Sequence, residues 1–229
     1  MCGRFVATAP LTKVAEYFGA EPPGFAMRPN YNVSPTTVVA GITVAEKQRH
    51  LDRFVWGLVP TWQKTRGHVA PLINARAESV IEKPSFRHLV PAHRCIVPMD
   101  GYYEWMTTKE SQLKIPYYIT RIDSAPIAVA GLWEEGDDST KGMARLCIIT
   151  VAANDKLAAI HDRMPAILQP SEVEDWLEGD VPEALHALHP SSEDLLGARE
   201  VSTRVNSVKN NEPSNIEEVE TQLPPSLFD

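Results

Sequence analysis

The chain has few cysteines, and their spacing does not pair them. Its 229 residues include three cysteines, which are Cys2, Cys95 and Cys147. An odd number of unpaired cysteines does not fit the disulfide framework of small secreted proteins. We therefore expect reduced thiols and a cytoplasmic protein. A chain of this length also buries a sizeable core without covalent crosslinks.

Long apolar runs are missing as well. The longest, such as Pro126 to Trp133, are far too short to cross a bilayer. The first residues lack the basic and apolar regions of a signal peptide. We therefore expect no membrane association.

Positive charge is in short supply. Thirty Asp and Glu residues outnumber 22 Lys and Arg residues, so the net charge is −8 at pH 7. Because non-specific nucleic-acid binding depends on cations that neutralise phosphates, this chain could bind DNA only through a local basic groove. The acids after Lys209 have no Lys or Arg among them. This predicts one domain over residues 1–209 and a mobile acidic tail over 210–229.

The proline content favours short elements. Nineteen prolines are spread along the chain, which favours strands and turns over long helices. Strand-like segments cover 37–44, 50–58, 95–99, 116–121, 127–133 and 146–151, and helical patterns cover 11–18, 154–160 and 171–177. Strands and helices do not alternate as they do in a parallel α/β sheet. The sequence predicts a single α+β domain with a curved, mostly antiparallel sheet or partial barrel flanked by short helices.

The second residue has distinctive chemistry if Met1 is removed. Initiator Met is generally removed ahead of a small residue such as Cys2. The product carries an α-amine with a pKa of about 7.7–8.0 beside a thiol with a pKa of about 8.5. Such an amine can attack an aldehyde to form a Schiff base, and the thiol can then close a thiazolidine ring. Gly3 leaves room for a ligand, and Arg4 is a cation suited to phosphate.

Three further segments carry polar residues that suit catalysis. Asn74 lies in the segment 73–78, Glu104 lies between aromatic residues in 100–105, and His161 follows a short predicted helix. The apolar surroundings of Glu104 predict a raised pKa, which suits a proton donor near neutral pH. Taken singly, each of these residues is more often an ordinary surface or core residue.

Several segments in a fixed order are more specific than any one of them. They are Met1 to Phe5, Tyr31 to Pro35, Trp56 to Trp62, Ile73 to Glu78, Asp100 to Trp105, and Ile160 to Pro165. Together they resemble the SOS-response-associated peptidase (SRAP) family, also called abasic-site processing proteins, from Met1 to about Lys209. The resemblance implies an enzyme of the DNA damage response. Its Cys2 would form a thiazolidine crosslink with the ring-opened aldehyde of an abasic site in single-stranded DNA.

The resemblance also implies roles for single residues. Glu104 would assist opening of the deoxyribose ring, His161 would act as acid or base, and Asn74 would orient the N-terminal amine. A DNA-binding groove is expected from residue chemistry, with cations for phosphates, aromatic rings for bases and a proline wedge. The predicted DNA-binding residues are Arg4, Asn32, Pro35, Trp62, Arg76, Arg87, Trp105, Arg163 and Lys209.

Other functions remain open at this point. A class II glutamine amidotransferase also begins Met-Cys-Gly, but it has Ile or Val where this chain has Arg4. Cys2, His161 and Asn74 could form the Cys-His-Asn set of a cysteine peptidase. A non-catalytic module that binds single-stranded DNA would share the groove.

We expect a monomer without cofactor or metal. His186 and His189 form an H-x-x-H pair on a predicted helix. A zinc site needs three or four convergent ligands, and the sequence offers no second pair at a suitable spacing.

Overall fold

A computed structural model describes residues 2–59, 70–107 and 113–219 of the chain. The helices are α1 (Leu11–Phe18), α2 (Asp155–Ala158), α3 (Glu172–Leu177) and α4 (Val181–His186). The strands are β1 (Phe5–Ala7), β2 (Ala20–Glu21), β3 (Asn30–Val33), β4 (Val38–Ala45), β5 (Gln48–Trp56), β6 (Asn74–Arg76), β7 (Arg94–Met99), β8 (Gly101–Thr107), β9 (Lys114–Arg121), β10 (Ile127–Glu134), β11 (Arg145–Ala152), β12 (Arg163–Pro165) and β13 (Leu196–Glu200). Within the described ranges, no helix is long and apolar enough to span a membrane.

The strands form two sheets. One has the order β13-β9-β8-β1-β3, and the other has the order β12-β11-β10-β7-β4-β5-β2, with β6 joined to β11. In the second sheet β11 also pairs with β5, through Arg145 with Val55 and Leu146 with Trp56. This pairing closes five strands (β5, β4, β7, β10 and β11) into a ring. Most pairs are antiparallel, so the predicted α+β class with a mostly antiparallel sheet or partial barrel is confirmed.

The core lies mainly inside the ring. Every residue of β7 is buried, as is nearly all of β10 and β11. These strands therefore read as continuous apolar runs, because neither of their faces meets water. All six predicted strands overlap observed ones, namely β4, β5, β7, β9, β10 and β11.

The predicted helices are present, with corrections at their ends. α1 has the predicted bounds and ends at Gly19, whose φ of 62° is the left-handed conformation that glycine adopts readily. α2 begins after Asn154, whose Oδ1 accepts the N–H of Leu157 at 3.0 Å. Ser171 precedes α3 but makes no capping hydrogen bond through its side chain. α4 ends at His186, so His189 lies outside the helix on which the H-x-x-H pair was predicted.

The amino-terminal segment runs beside the beginning of β8. Phe5 pairs with Tyr102 and Val6 with Gly101 in antiparallel register. The backbone N–H of Tyr103 donates to the carbonyl oxygen of Arg4 at 2.9 Å. Continued by two residues, this register would place Gly3, next to Cys2, opposite Glu104.

The first part of the predicted tail packs on the domain. Residues 213–216 form a 3-10 turn, and Asn215 within it is fully buried. Val201 also pairs with Glu218 in a β-bridge. Segments on both sides of residue 210 therefore bury polar and apolar side chains against the five-stranded sheet. Residues 220–229 lie outside the described residues, and a mobile tail there stays a prediction.

Candidate active site

Cys2 and Asn74 come together although 72 positions separate them. Asn74 begins β6, which runs parallel to β11 with Asn74 opposite Ile148. Its Nδ2 donates to the carbonyl oxygen of Cys2 at 2.9 Å. Its Oδ1 is buried and meets no donor among the described residues. A buried acceptor without a donor is uncommon in native proteins, so this atom marks a position where a donor is to be expected.

The Cys2 thiol lies in the core and is 0% exposed. Burial raises the pKa of this thiol far above its ordinary value, and the nearby charge of Glu104 raises it further. A hydrogen bond from the backbone N–H of Arg4 acts in the opposite direction without reversing the shift. At neutral pH the sulfur is therefore a thiol and not a thiolate.

Glu104 lies on β8 and is 3% exposed. Burial raises the pKa of its carboxyl group, while the positive charges of the amino terminus and of His161 act to lower it. The shift has the direction that the aromatic neighbours in the sequence predict. A carboxyl group with a raised pKa can donate or accept a proton closer to neutral pH than an exposed glutamate can.

His161 follows α2 and is held by the backbone. Its Nδ1 accepts the N–H of Arg163 at 3.0 Å and also lies 2.9 Å from Oδ1 of Asp162. A hydrogen bond from the N–H of Arg163 needs a lone pair on Nδ1, whereas a hydrogen bond to Asp162 needs a proton there. The backbone N–H of Arg163 is a fixed donor. We therefore assign the proton of the neutral ring to Nε2. The ring then presents a donor on its side away from its own backbone.

An open pocket of about 410 Å³ joins the two ionisable side chains. Its lining residues are Glu104, Trp105, Thr107, Lys114, His161 and Asn206. The sequence analysis singled out Glu104, His161 and Trp105, whereas it missed Thr107, Lys114 and Asn206. Alternation along two paired strands could have indicated Thr107 and Lys114. Asn206 lies in an irregular segment and carries no sequence signal.

Trp105 forms one wall of this pocket in a fixed orientation. Its indole Nε1 donates to Oδ1 of Asn206 at 2.7 Å. The guanidinium of Arg4 lies 5.8 Å from its ring centroid, in a cation–π contact. The same guanidinium donates to Oδ1 of Asn32 at 2.6 Å and to the carbonyl oxygen of Val205 at 2.9 Å. Arg4 is therefore engaged with the protein beside the pocket, and burial lowers its pKa.

Asn32 lies inside the protein. It is 3% exposed, and its Nδ2 donates to the carbonyl oxygens of Val205, Ser207 and Asn210. The prediction that it contacts DNA is not supported by this placement, because its polar atoms already serve the segment 205–210.

The other predicted DNA-binding residues differ in accessibility. Arg163 donates to both carboxylate oxygens of Glu78, at 2.5 and 2.9 Å, and to the carbonyl oxygen of Thr150 at 2.6 Å. Arg76, Arg87 and Lys209 are exposed, and Pro35 is half-buried in a turn before Thr36, which has a φ of 70°. Trp62 lies outside the described residues.

The described residues offer no group of three His, Cys, Asp or Glu side chains that could hold a metal ion. His189 instead lies with its Nε2 2.7 Å from Oε1 of Glu172.

Known proteins resemble the chain over nearly its whole length. Residues 1–208 match the family described as SOS response associated peptidase (SRAP). The abasic site processing protein YoqW of Bacillus subtilis is 37% identical over 223 residues, which cover 95% of this chain and 99% of that protein. The abasic site processing protein YedK of Escherichia coli is 33% identical over 195 residues, or 79% and 81% of the two chains. A crystal structure of a protein from Bacteroides thetaiotaomicron has a TM-score of 0.80 and 29% identity, covering 96% and 100% of the two chains.

Proposed function

Because the chain belongs to the SOS response associated peptidase family, we propose that it processes abasic sites in DNA. The names of its relatives, abasic site processing proteins YoqW and YedK, support this function. Its substrate is the ring-opened aldehyde of an abasic site in single-stranded DNA. The protein becomes covalently attached to that site through Cys2 after Met1 is removed.

The reaction has two bond-forming steps. The α-amine of Cys2 adds to the aldehyde carbon, and loss of one water leaves a C=N double bond. The thiol then adds across this bond. Sulfur bonds to the carbon while the nitrogen gains a proton, which closes the five-membered thiazolidine. No oxidant or metal is required for this balance.

The observation that carries the proposal is the orphaned Oδ1 of Asn74. This buried acceptor belongs to the residue whose Nδ2 holds the Cys2 carbonyl at 2.9 Å. Removal of Met1 would give Cys2 an α-amine, with additional N–H donors on a residue that this amide already holds. Such a bond would orient the amine's lone pair toward the aldehyde, and a near-attack orientation of this kind contributes strongly to rate.

Glu104 and His161 supply the proton transfers. Ring opening of the sugar needs a proton at the ring oxygen and loss of one from the anomeric hydroxyl. The raised pKa of Glu104 suits it to exchange these protons near neutral pH. His161, with its Nε2 carrying the ring proton, donates to the departing hydroxyl when the C=N bond forms.

The state of the thiol disfavours a cysteine peptidase. A peptidase of the Cys-His-Asn type attacks with a thiolate whose pKa is lowered by its histidine. Burial and Glu104 instead raise the pKa of Cys2. In the thiazolidine mechanism the amine attacks first, and the thiol adds only afterwards to an activated C=N carbon.

The test is a denaturing gel with single-stranded DNA that carries one abasic site, followed by intact mass measurement. Wild-type protein should give a heat-stable adduct that lacks Met1. The Cys2→Ser variant forms at most a labile Schiff base and should give less than about a hundredth of the stable adduct. The Cys95→Ala variant is a matched control, because Cys95 is equally buried but remote in sequence from the amino terminus.

Three outcomes would overturn the proposal. One is a stable adduct of unchanged yield in Cys2→Ser, which would indicate a lysine. Another is an adduct that still contains Met1. The third is no adduct in wild-type protein, in which case a binding module would fit the groove better.

A further inference from the structure

The pairing of β8 with β9 places a cation next to an aromatic ring in the pocket. Trp105 pairs with Pro116, and Thr107 pairs with Lys114. Residues opposite each other in an antiparallel pair project from the same face of the sheet, as do residues two apart on one strand. Trp105, Thr107 and Lys114 therefore share one face, with Trp105 and Lys114 as diagonal neighbours.

All three residues line the pocket that also holds Glu104 and His161. Neighbouring residues on β8 alternate between faces, so Glu104 approaches the pocket from the other side of the strand. The pocket thus has a reacting side, formed by the two ionisable residues, and a side formed by Trp105 and Lys114. A flat ring beside a flexible ammonium group matches the two parts of a nucleotide, a base and a phosphate.

Two arginines of the site, Arg4 and Arg163, are engaged in contacts within the protein. Arg4 donates to Asn32 and to the Val205 carbonyl, and it stacks on Trp105. Arg163 holds both oxygens of Glu78, and its side chain is only 11% exposed. Lys114, by contrast, is exposed at the pocket. A phosphate at this side would therefore meet Lys114 without breaking an internal ion pair.

We propose that Lys114 binds the backbone phosphate of the nucleotide next to the abasic position, while the base of that nucleotide lies on Trp105. This inference rests on the proposed function and names a subsite of the same pocket. Lys114 acts in substrate binding and takes no part in the chemical steps.

The test separates binding from chemistry. Equilibrium binding is measured by fluorescence anisotropy with a single strand that carries a tetrahydrofuran analogue of the abasic site, which cannot form a Schiff base. Loss of one phosphate contact on single-stranded DNA lowers the slope of log affinity against log salt by about 0.7. We expect this loss and roughly three- to tenfold weaker binding at 0.1 M salt for Lys114→Ala, with recovery in Lys114→Arg.

Lys13→Ala is the matched control, since Lys13 is an exposed lysine on α1 that does not line the pocket. It should leave both the affinity and the salt slope unchanged. The covalent reaction with a true abasic site is measured in parallel. The DNA concentration that gives half of its maximal rate should rise by roughly three- to tenfold in Lys114→Ala.

The possible failures are distinguishable. An unchanged salt slope in Lys114→Ala would overturn the Lys114 proposal, whatever the covalent assay shows. A reduced covalent rate at saturation with unchanged binding would also overturn it, because Lys114 would then act in the chemistry. A Lys114-dependent slope without any covalent adduct would instead refute the proposed crosslinking and leave the phosphate subsite standing.

Discussion

Replacing Asn32 with alanine distinguishes a structural role from contact with DNA. The side chain donates to three carbonyl oxygens and accepts one bond from Arg4. All three carbonyl partners keep another bond in the variant. The Val205 oxygen still receives Arg4, the Asn210 oxygen still receives Nδ2 of Asn215, and the Ser207 oxygen still receives the backbone N–H of Asn210 at 3.0 Å. The variant therefore loses four side-chain hydrogen bonds but leaves none of these oxygens without a donor.

The magnitude follows from this inventory. A buried hydrogen bond contributes about 0.5–1.5 kcal/mol net, and an orphaned partner costs about 1–3 kcal/mol. Because none of the three carbonyl oxygens is orphaned, the lower half of the range for four lost bonds applies, and we expect Asn32→Ala to lower the free energy of unfolding by about 2–3 kcal/mol. For a domain of this size, that corresponds to a fall in Tm of roughly 5–10 °C.

Chemical denaturation with fluorescence detection measures this change. Asn206→Ala serves as the control, because Asn206 is exposed and accepts one side-chain bond, from Trp105. It should cost about 1 kcal/mol or less. A loss below about 1 kcal/mol in Asn32→Ala, together with clearly weaker DNA binding, would refute our reasoning. It would restore Asn32 as a DNA contact, as the sequence analysis had it.

Two more predictions concern charged residues of the site. Burial raises the pKa of Glu104 in the folded protein, so its contribution to stability is full below its unfolded pKa and is lost as the pH rises through the folded value. Glu104→Gln should therefore be more stable than wild type at pH 8 but not at pH 4. Its crosslinking should be slower than that of wild type by about a hundredfold or more. Equal stabilities of the two proteins at pH 8 in denaturant titrations would contradict the burial argument. Glu78→Gln removes the charge that holds the guanidinium of Arg163. Binding to single-stranded DNA should therefore become about two- to threefold tighter at low salt. Unchanged affinity in anisotropy titrations would show that Arg163 does not reach a phosphate.

Local pattern was enough to predict the strands of the ring, but not the separate five-stranded sheet. β7 and β10 are continuous apolar runs, which identify buried strands. β8 follows β7 after a single residue, Asp100, and belongs to the other sheet. The Asp100 carboxylate accepts from the backbone N–H groups of Thr8 and Ala9, and this contact fixes where the chain changes sheets. A bend that depends on a partner 92 positions away leaves no periodic signal in the sequence.

The candidate site shows the same difference between what local sequence predicts and what long-range contacts determine. Residue chemistry and family motifs were enough to predict Cys2, Asn74, Glu104 and His161 as candidate site residues, because the chemistry of each is local to its side chain. Which arginines remain available could not be predicted, since the pairing of Arg163 with Glu78 spans 85 positions. Arg4 is engaged in the same way by partners up to 201 positions away. Sequence patterns report what a side chain can do, whereas its availability depends on tertiary contacts.

The limited availability of arginines at the site raises the question of how an acidic protein would bind DNA. The net charge is −8, and two arginines of the site are held by contacts within the protein. Few cations of the site are therefore available to bind DNA phosphates non-covalently. The covalent reaction that we propose would remove that requirement, because a bond to the aldehyde holds the complex after even a weak encounter. Selectivity then comes from the aldehyde itself, which an intact nucleotide lacks. The few exposed cations at the pocket need only orient the strand for as long as the amine takes to react.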